Sequence, residues 1–383
     1  IMPWKVTDVM EERIRFVRQV LRGQESMSKL CREFGISRST GYVWWNRYRG
    51  ERTVGALQDR CRRPHCSPHR TAEVVEKRVV QLRHRYGWGG KKLLVLLKQE
   101  GLHLSLPTVN RIIRRQGLVR AKASHRPAVK RFERQAPNEL WQIDFKGPYR
   151  GPGKPCIPLS ILDDHSRYAV GLYALQDLDT EGVLASVRRS FQHYGLPQAV
   201  LMDHGVPWWS NTNGHGLTRF AVHLIEQGIH LIYGSVAHPQ TQGKVERFHR
   251  TLAEAVYHRG RPRQLHQWQQ FLAHFRQEYN FIRPHEALEM AVPASRYQPS
   301  PRAYNPRPQP WDYPSTLQTK RLSQHGCLHH AGRYYFVCEA LGRRRVGIEP
   351  FDDKLLVRYR QMYIREINLQ TRQTRALVCR VRT

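Results

Sequence analysis

Acidic residues are scarce in this chain: 31 Asp and Glu stand against 63 Lys and Arg, a formal net charge of +32 at pH 7 over 383 residues. So lopsided a balance points to a polyanionic partner. Long apolar runs are missing too. No stretch approaches the roughly 20 residues of a spanning helix and no amphipathic anchor stands out, so the expected partner is nucleic acid and not a membrane. The first twenty residues lack an apolar signal core and read as the start of a charged, amphipathic helix. Cysteine is thin and scattered, seven in all, an odd number that suits a reducing cytosol better than a disulfide framework. What is present, 40% apolar residues and 10% aromatics, demands real cores, and the length leaves room for two to four domains.

The chain opens on helical patterns. Met10, Ile14, Val17 and Leu21 recur at helical spacing. The segment from Ser28 to Tyr48 has helix-turn-helix form: Gly35 permits the turn and Ser37 is a good N-cap for the second helix. Ile36, Val43 and Trp44 are expected in its small core, leaving Arg38, Ser39, Tyr42, Asn46 and Arg47 to enter a major groove. A basic, turn-rich linker runs from Asp59 to Arg70. Cys61, His65, Cys66 and His69 lie in it, but their spacing fits no pair-plus-pair ligand pattern, so no zinc is expected there. Residues 72–118 form a second helical unit, whose last helix starts at Leu104-Ser105-Leu106-Pro107 with proline near its first turn. Arg111, Arg114 and Arg115 line that helix beside Ile112 and Ile113.

Three acids further along sit where a metal-dependent phosphoryl-transfer site would need them. Asp144 lies in the strand pattern Glu139–Gly147, where Trp141, Ile143 and Phe145 face one way and Gln142, Asp144 and Lys146 the other. Asp203 ends the apolar run Gln198–Met202 and is followed by His204 and Gly205. Glu246 sits in His238–Arg250, a loop leading into a helix. Being 59 and 43 positions apart, the acids can converge only through folding. Such a trio suits two divalent cations roughly 3.5–4 Å apart, and oxygen ligands suit magnesium or manganese. The adjacent Asp163 and Asp164 are the rival metal site; they sit at a hairpin turn and point to opposite faces, so they read as structural, with Asp164 holding Arg167. Lys244, Arg247 and Arg250 follow one another at intervals of three on the Glu246 helix and are candidate phosphate contacts.

The words around these acids carry a resemblance. Asn138-Glu139-Leu140-Trp141-Gln142-Ile143-Asp144-Phe145, then Leu162–Tyr168, then His238-Pro239-Gln240 with Gly243-Lys244-Val245-Glu246-Arg247-Phe248, resemble the DDE transposases of the retroviral-integrase-core superfamily, especially bacterial insertion-sequence transposases with N-terminal helix-turn-helix domains. The resemblance spans about residues 3–295, with a weaker echo in the tail. It implies that Asp144, Asp203 and Glu246 bind two magnesium or manganese ions and catalyse DNA strand cleavage and joining. It also implies double-stranded DNA as partner, at least a dimer on paired ends, and a bacterial, nucleoid-associated location in the cytoplasm. Two departures stand out. The 42 residues between Asp203 and Glu246 exceed the family's usual spacing of about thirty-five, which makes Pro207–Gly216 look like a surface-loop insertion. His204 occupies a position where the family usually has Asn.

The expected architecture is therefore multidomain. It comprises a helix-turn-helix domain over 1–58, a basic linker over 59–71, a second helix-turn-helix domain over 72–120 and a basic connector over 121–135. An α/β ribonuclease H-like core then fills 136–295, a Pro-rich, semi-rigid linker 296–316 and a small C-terminal β-barrel 317–383. In the tail His325, Cys327, His329 and His330 read as loop residues, not as a zinc site. Two rival functions remain: a sequence-specific DNA-binding regulator with an inactive core, and a nuclease that cuts RNA or hybrids.

Overall fold

The computed structural model describes residues 8–60, 70–119, 133–151, 154–211, 216–234 and 243–377. The candidate zinc residues Cys61, His65, Cys66 and His69 lie outside them, as does the His238-Pro239-Gln240 part of the glutamate motif. The chain divides into two compact units, Ile1–Thr71 and Ala72–Thr383.

The first unit is helical. α1 (Val9–Arg22) starts where the Asp8 carboxylate accepts from the Met10 N–H. α2 (Met27–Glu33) and α3 (Arg38–Glu51) are capped by Ser26 and Ser37, each accepting a backbone N–H three residues on. The turn between them passes through Gly35 at φ +65°, as the sequence requires. Phe16, Val17, Leu30, Cys31 and Leu57 form the core. Gly41 lets α3 lie close on α2, because a Cβ there would stand 2.5 Å from the Cys31 Sγ. That contact sets the inward stripe of α3 as Gly41, Trp44, Trp45 and Tyr48. Val43, expected inside, lies about 200° from Gly41 on the helix and is 46% exposed.

The second unit begins with α4 (Glu73–Tyr86), α5 (Gly90–Gln99) and α6 (Leu106–Arg115) around Val79, Leu82, Leu93, Leu97, Val109, Ile112 and Ile113. Ser105 caps α6 and Pro107 sits in its first turn.

A five-stranded mixed sheet follows, in the order β3-β2-β1-β4-β7. β1 (Leu140–Phe145), β2 (Ile157–Asp163) and β3 (Ala169–Leu175) pair antiparallel. β4 (Ala199–Met202) runs parallel to β1, and β7 (His230–Tyr233) parallel to β4. α7 (Thr180–Tyr194) starts at the Asp179 cap and ends at Gly195, as its sequence signals indicate. It packs with α8 (Arg219–Glu226) against one face of the sheet through Trp141, Ile143, Val170, Phe191 and Leu224. α9 (Gly243–Arg259) and α10 (Leu265–Phe281) cover the other through Leu162, Leu172, Phe248, Leu252 and Phe275. This is the three-layer α/β arrangement expected of the core.

The supposed insertion is not a bare surface loop. Trp208 and Trp209 are buried, Trp208 stacks on Phe145 at 4.8 Å between centroids, and the short strands β5 (Trp209–Ser210) and β6 (Gly216–Leu217) pair across the segment. Two tryptophans provide more apolar area than a loop can leave in water.

The Pro-rich stretch is no free spacer. Leu196 N–H donates to the Arg302 carbonyl, Ser300 N–H to Tyr194, and Arg302 reaches the carbonyls of Pro197 and Gly228. Beyond it, β8 (Gln318–Arg321), β11 (Arg345–Phe351), β12 (Lys354–Tyr359), β13 (Met362–Asn368) and β14 (Thr374–Ala376) form one antiparallel sheet in the order β14-β13-β12-β11-β8. β9 (Cys327–His330) and β10 (Arg333–Phe336) form a separate hairpin. The expected barrel is not present among the described residues: β14 and β8 are opposite edges that do not pair, so the sheet stays open. Its inner face, including Val346, Ile348, Leu355, Val357 and Ile367, joins the same apolar core as Phe220 and Leu224. Packing against α8 buries the sheet without closure. Cys327, His329 and His330, expected in a loop, alternate along β9 instead.

Candidate active site

Parallel pairing of β1 with β4 aligns Trp141 with Val200 and Gln142 with Leu201, and the same register continued sets Asp144 across from Asp203. The 59-residue separation is thus the register offset itself. Asp144 accepts the Phe145 N–H at 2.8 Å. Asp203, just past the end of β4, turns back to accept the Gly205 N–H at 2.8 Å. The start of α9 is tied to β1 by the Val245 N–H donating to Gln142 Oε1 at 3.3 Å, and one turn on His249 Nε2 meets Ser160 Oγ at 2.9 Å. These two contacts hold the first turn of α9, with Glu246 exposed on it, over the end of β1.

The Asp144 carboxyl is pushed up to about 7, first by burial, then by the neighbouring Asp203 and also by Glu246, against the pull of the Phe145 N–H and of Lys146. All three acids therefore share one field. Among the described residues no three His, Cys, Asp or Glu side chains approach closely enough to hold an ion as they stand. The donor set nevertheless fits a hard divalent cation, being all carboxylate oxygen and carrying mutual repulsion that such a cation would relieve. His249 Nδ1 lies 3.7 Å from Asp144 Oδ2. Burial, then Lys146, pushes the imidazole down to about 4, so it adds no charge at neutral pH. Gln142 and His249 were not singled out from the sequence. The available signals were that Gln142 shares the strand face of Asp144 and that His249 follows Glu246 by one helical turn.

Asp163 and Asp164 are saturated elsewhere. Asp163 accepts from the Asn138 N–H, the Ser166 N–H and the Ser166 hydroxyl, all within 2.8 Å. Asp164 accepts from the Arg134 N–H, Gln142 Nε2 and Lys244 Nζ, the last at 2.6 Å. The structural reading holds with two corrections. Arg167 bonds the Asp164 carbonyl and pairs with Glu133, not with the Asp164 carboxylate. Lys244, expected on substrate phosphate, is committed to the fully buried Asp164 at 2.6 Å.

The other candidate DNA contacts divide similarly. Arg38, Ser39, Tyr42 and Asn46 are exposed along α3, with Ser39 Oγ also meeting the Ser37 hydroxyl at 2.8 Å. Arg47 is half-buried over the Trp44 ring. Arg111 and Arg114 are exposed on α6, whereas Arg115 pairs with the buried Glu76 at 2.8 Å. Arg247 and Arg250 are exposed on α9 beside Glu246. His204 packs between Trp209 and Tyr233. No helix among the described residues is long and apolar enough to cross a membrane.

Family comparisons agree with this layout. Residues 134–239 match an integrase core domain, residues 227–293 a further integrase core domain, and residues 12–65 a helix-turn-helix domain. The chain is similar to the insertion element IS407 uncharacterized 31.7 kDa protein of Burkholderia multivorans, 27% identical over 59% of this chain and 82% of that protein. It is also similar to the insertion element IS476 uncharacterized 39.2 kDa protein of Xanthomonas euvesicatoria, 26% identical over 58% of this chain and 63% of that protein, under two thirds of its length. Among solved structures it matches the simian T-cell lymphotropic virus intasome in complex with PP2A regulatory subunit B56 gamma (14% identity, 79% of this chain and 99% of that one, TM-score 0.38). It also matches the HTLV-2 integrase catalytic core domain in complex with magnesium (12% identity, 42% and 97%, TM-score 0.33).

Proposed function

This chain belongs to the DDE-type insertion-sequence transposases, and on that premise we propose that it cleaves DNA strands at the ends of an insertion sequence and joins the freed 3′-hydroxyls to target DNA. What supports the reading is the β1–β4 register, which continued sets Asp144 across from Asp203, with the helix that carries Glu246 tied to β1 through Gln142. Asp144, Asp203 and Glu246 would hold magnesium or manganese, two ions per site, and when bound such a pair supplies the clamp on attacking and leaving oxygens of an in-line displacement.

The chain's own residues position the reaction. The sheet fixes Asp144, the Gly205 N–H orients Asp203, and Gln142 with Ser160 anchors the helix that carries Glu246. In the first step a water oxygen bonds to the scissile phosphorus, the bond to the 3′ oxygen breaks, and a 3′-hydroxyl is released. In the second, that hydroxyl bonds to a target phosphorus and the target's own 3′ oxygen leaves. One phosphodiester forms for each one broken in the joining step, so no covalent enzyme intermediate or energy donor is required.

Recognition of the ends would fall to Arg38, Tyr42 and Asn46 on α3 and to Arg111 and Arg114 on α6, with Arg247 and Arg250 on backbone phosphate near the acids. Joining two ends calls for at least a dimer. The test is incubation with magnesium and a labelled duplex ending in the repeat that flanks the gene. Strand products made by wild type and lost with Glu246→Gln are expected. Tight, salt-sensitive binding without cleavage by either protein would replace this reading with that of a DNA-binding regulator.

A further inference from the structure

Within the second unit, α5, α9 and the segment after α10 bring cations together without matching anions. Lys92 on α5 is 15% exposed, and its nearest carboxylate, Glu286, lies 3.9 Å away and is itself 54% exposed. Arg283 is 8% exposed. Its guanidinium makes two long hydrogen bonds with uncharged groups, His285 Nε2 at 3.3 Å and Thr251 Oγ1 at 3.5 Å, lies 5.8 Å from the Tyr279 ring centroid, and its Nε has no hydrogen-bond partner among the described residues. Arg247 of α9 lies within the field of both, and the further counter-charges are Glu254 for both and Glu278 for Arg283. Nearby Arg259, by contrast, carries both oxygens of Glu278 at 2.8 and 2.6 Å.

A buried guanidinium with no carboxylate on it is costly unless an anion completes it. The strain is visible in the neighbours: burial, then Arg283, pushes the Lys92 amine down to about 8, and burial with the same cations holds His285 neutral. An acidic side chain would have been the simplest remedy, and among the described residues none reaches Arg283.

We propose that Lys92, Arg247 and Arg283 form a phosphate-binding site at the junction of the helical bundle and the core, filled by a backbone phosphate of the bound DNA duplex. This rests on the reading of the chain as a DNA-processing enzyme, and deepens it. A phosphate held there would fix the duplex relative to α9, where Arg247 directly follows Glu246. Three donors of different reach surround one anion: a guanidinium with a free Nε–H, a second guanidinium, and a compact ammonium.

The experiment titrates the full chain with the labelled flanking-repeat duplex by fluorescence anisotropy over a series of KCl concentrations. Lys92→Gln is expected to bind about tenfold more weakly, with a slope of log K against log salt shallower by about 0.9. Glu286→Gln, which removes the competing carboxylate, is expected to bind more tightly, a change of opposite sign that a merely structural role would not produce. A second arm follows thermal unfolding with inorganic phosphate against chloride at equal ionic strength. Stabilisation of wild type but not of Lys92→Gln, with duplex binding unchanged, would assign the site to free phosphate. Unchanged duplex affinity and salt slope in both variants, with no phosphate-dependent stabilisation, would overturn the proposal. Should Lys92→Gln fail to fold, Glu286→Gln decides alone, and failure to tighten either ligand overturns it. Neither arm reads strand cleavage, so a chain that binds phosphate here but cuts no DNA keeps this inference and loses the transposase reading.

Discussion

Two groups of acids lie a few residues apart on the same sheet and have opposite fates. Asp163 and Asp164 are fully buried and every approach to them is occupied: backbone N–H groups, the Ser166 hydroxyl, the Gln142 amide and the Lys244 ammonium. Asp144 is less buried, takes one backbone N–H, and faces Asp203 and Glu246. Burial alone would have ranked the first pair as the more perturbed and hence the more functional. Saturation reverses the ranking. A buried carboxylate already accepting three donors has little capacity left for a ligand, whereas carboxylates left to repel one another hold an open coordination position.

The comparison is broken most severely by exchanging the roles. Asp144→Asn, Asp203→Asn or Glu246→Gln should each lower strand cleavage and joining at least about a thousandfold, with duplex affinity retained in an anisotropy titration. Asp163→Asn and Asp164→Asn should leave activity per folded molecule near wild type. An inactive, well-folded Asp163→Asn beside an active Asp144→Asn would reverse the site assignment.

Next in size is stability. Asp164→Asn removes the carboxylate charge held against the Lys244 ammonium, 17% exposed, and should cost about 3–5 kcal/mol in urea unfolding. The opposite effect is expected at Asp144. Its raised carboxyl stabilises the metal-free fold while protonated, a contribution fully present below the ordinary value of 3.8 and lost as pH rises through about 7. Asp144→Asn removes that loss, so at pH 8 the metal-free variant should exceed wild type by ~4 kcal/mol, and the two should converge near pH 3. Magnesium should narrow the gap at pH 8 by stabilising wild type alone.

The smallest effects carry the same contrast to the cations. Arg115→Ala should destabilise the second helical bundle by about 1–3 kcal/mol, because it removes a charged hydrogen-bond donor from the buried Glu76. Arg111→Ala should leave thermal stability within about 0.5 kcal/mol and weaken duplex binding several-fold with a shallower salt dependence. If the two exchanged phenotypes, exposure and pairing on α6 would be no guide to which arginines meet DNA.

Much of this was legible in advance wherever the signal is local. Local signals fixed helix starts: Ser37 caps α3 and the Leu104–Pro107 run opens α6 as expected. Alternation along β1 separated Trp141 and Ile143 from Asp144. Non-local partners were not legible. Val43 was misplaced because the inward face of α3 is set by Gly41 against Cys31, a contact between helices. Lys244 looked like a free cation at helical spacing until Asp164, 80 positions earlier, claimed it. A β tail over 317–383 was expected, yet whether its strands close into a barrel depends on what covers their inner face, and α8 covers it.

The sequence by itself determined the basic charge, the helix-turn-helix pattern, the order of strands and helices, and which three acids to watch, since each of these is written in composition or in neighbours a few positions apart. Tertiary structure alone decided which charges are spent and which are left over. That depends on partners brought together from β1, β2, β4, α5, α9 and the segment after α10, and a charge has one chemistry when paired and buried and another when it still has a lone pair or a proton to offer.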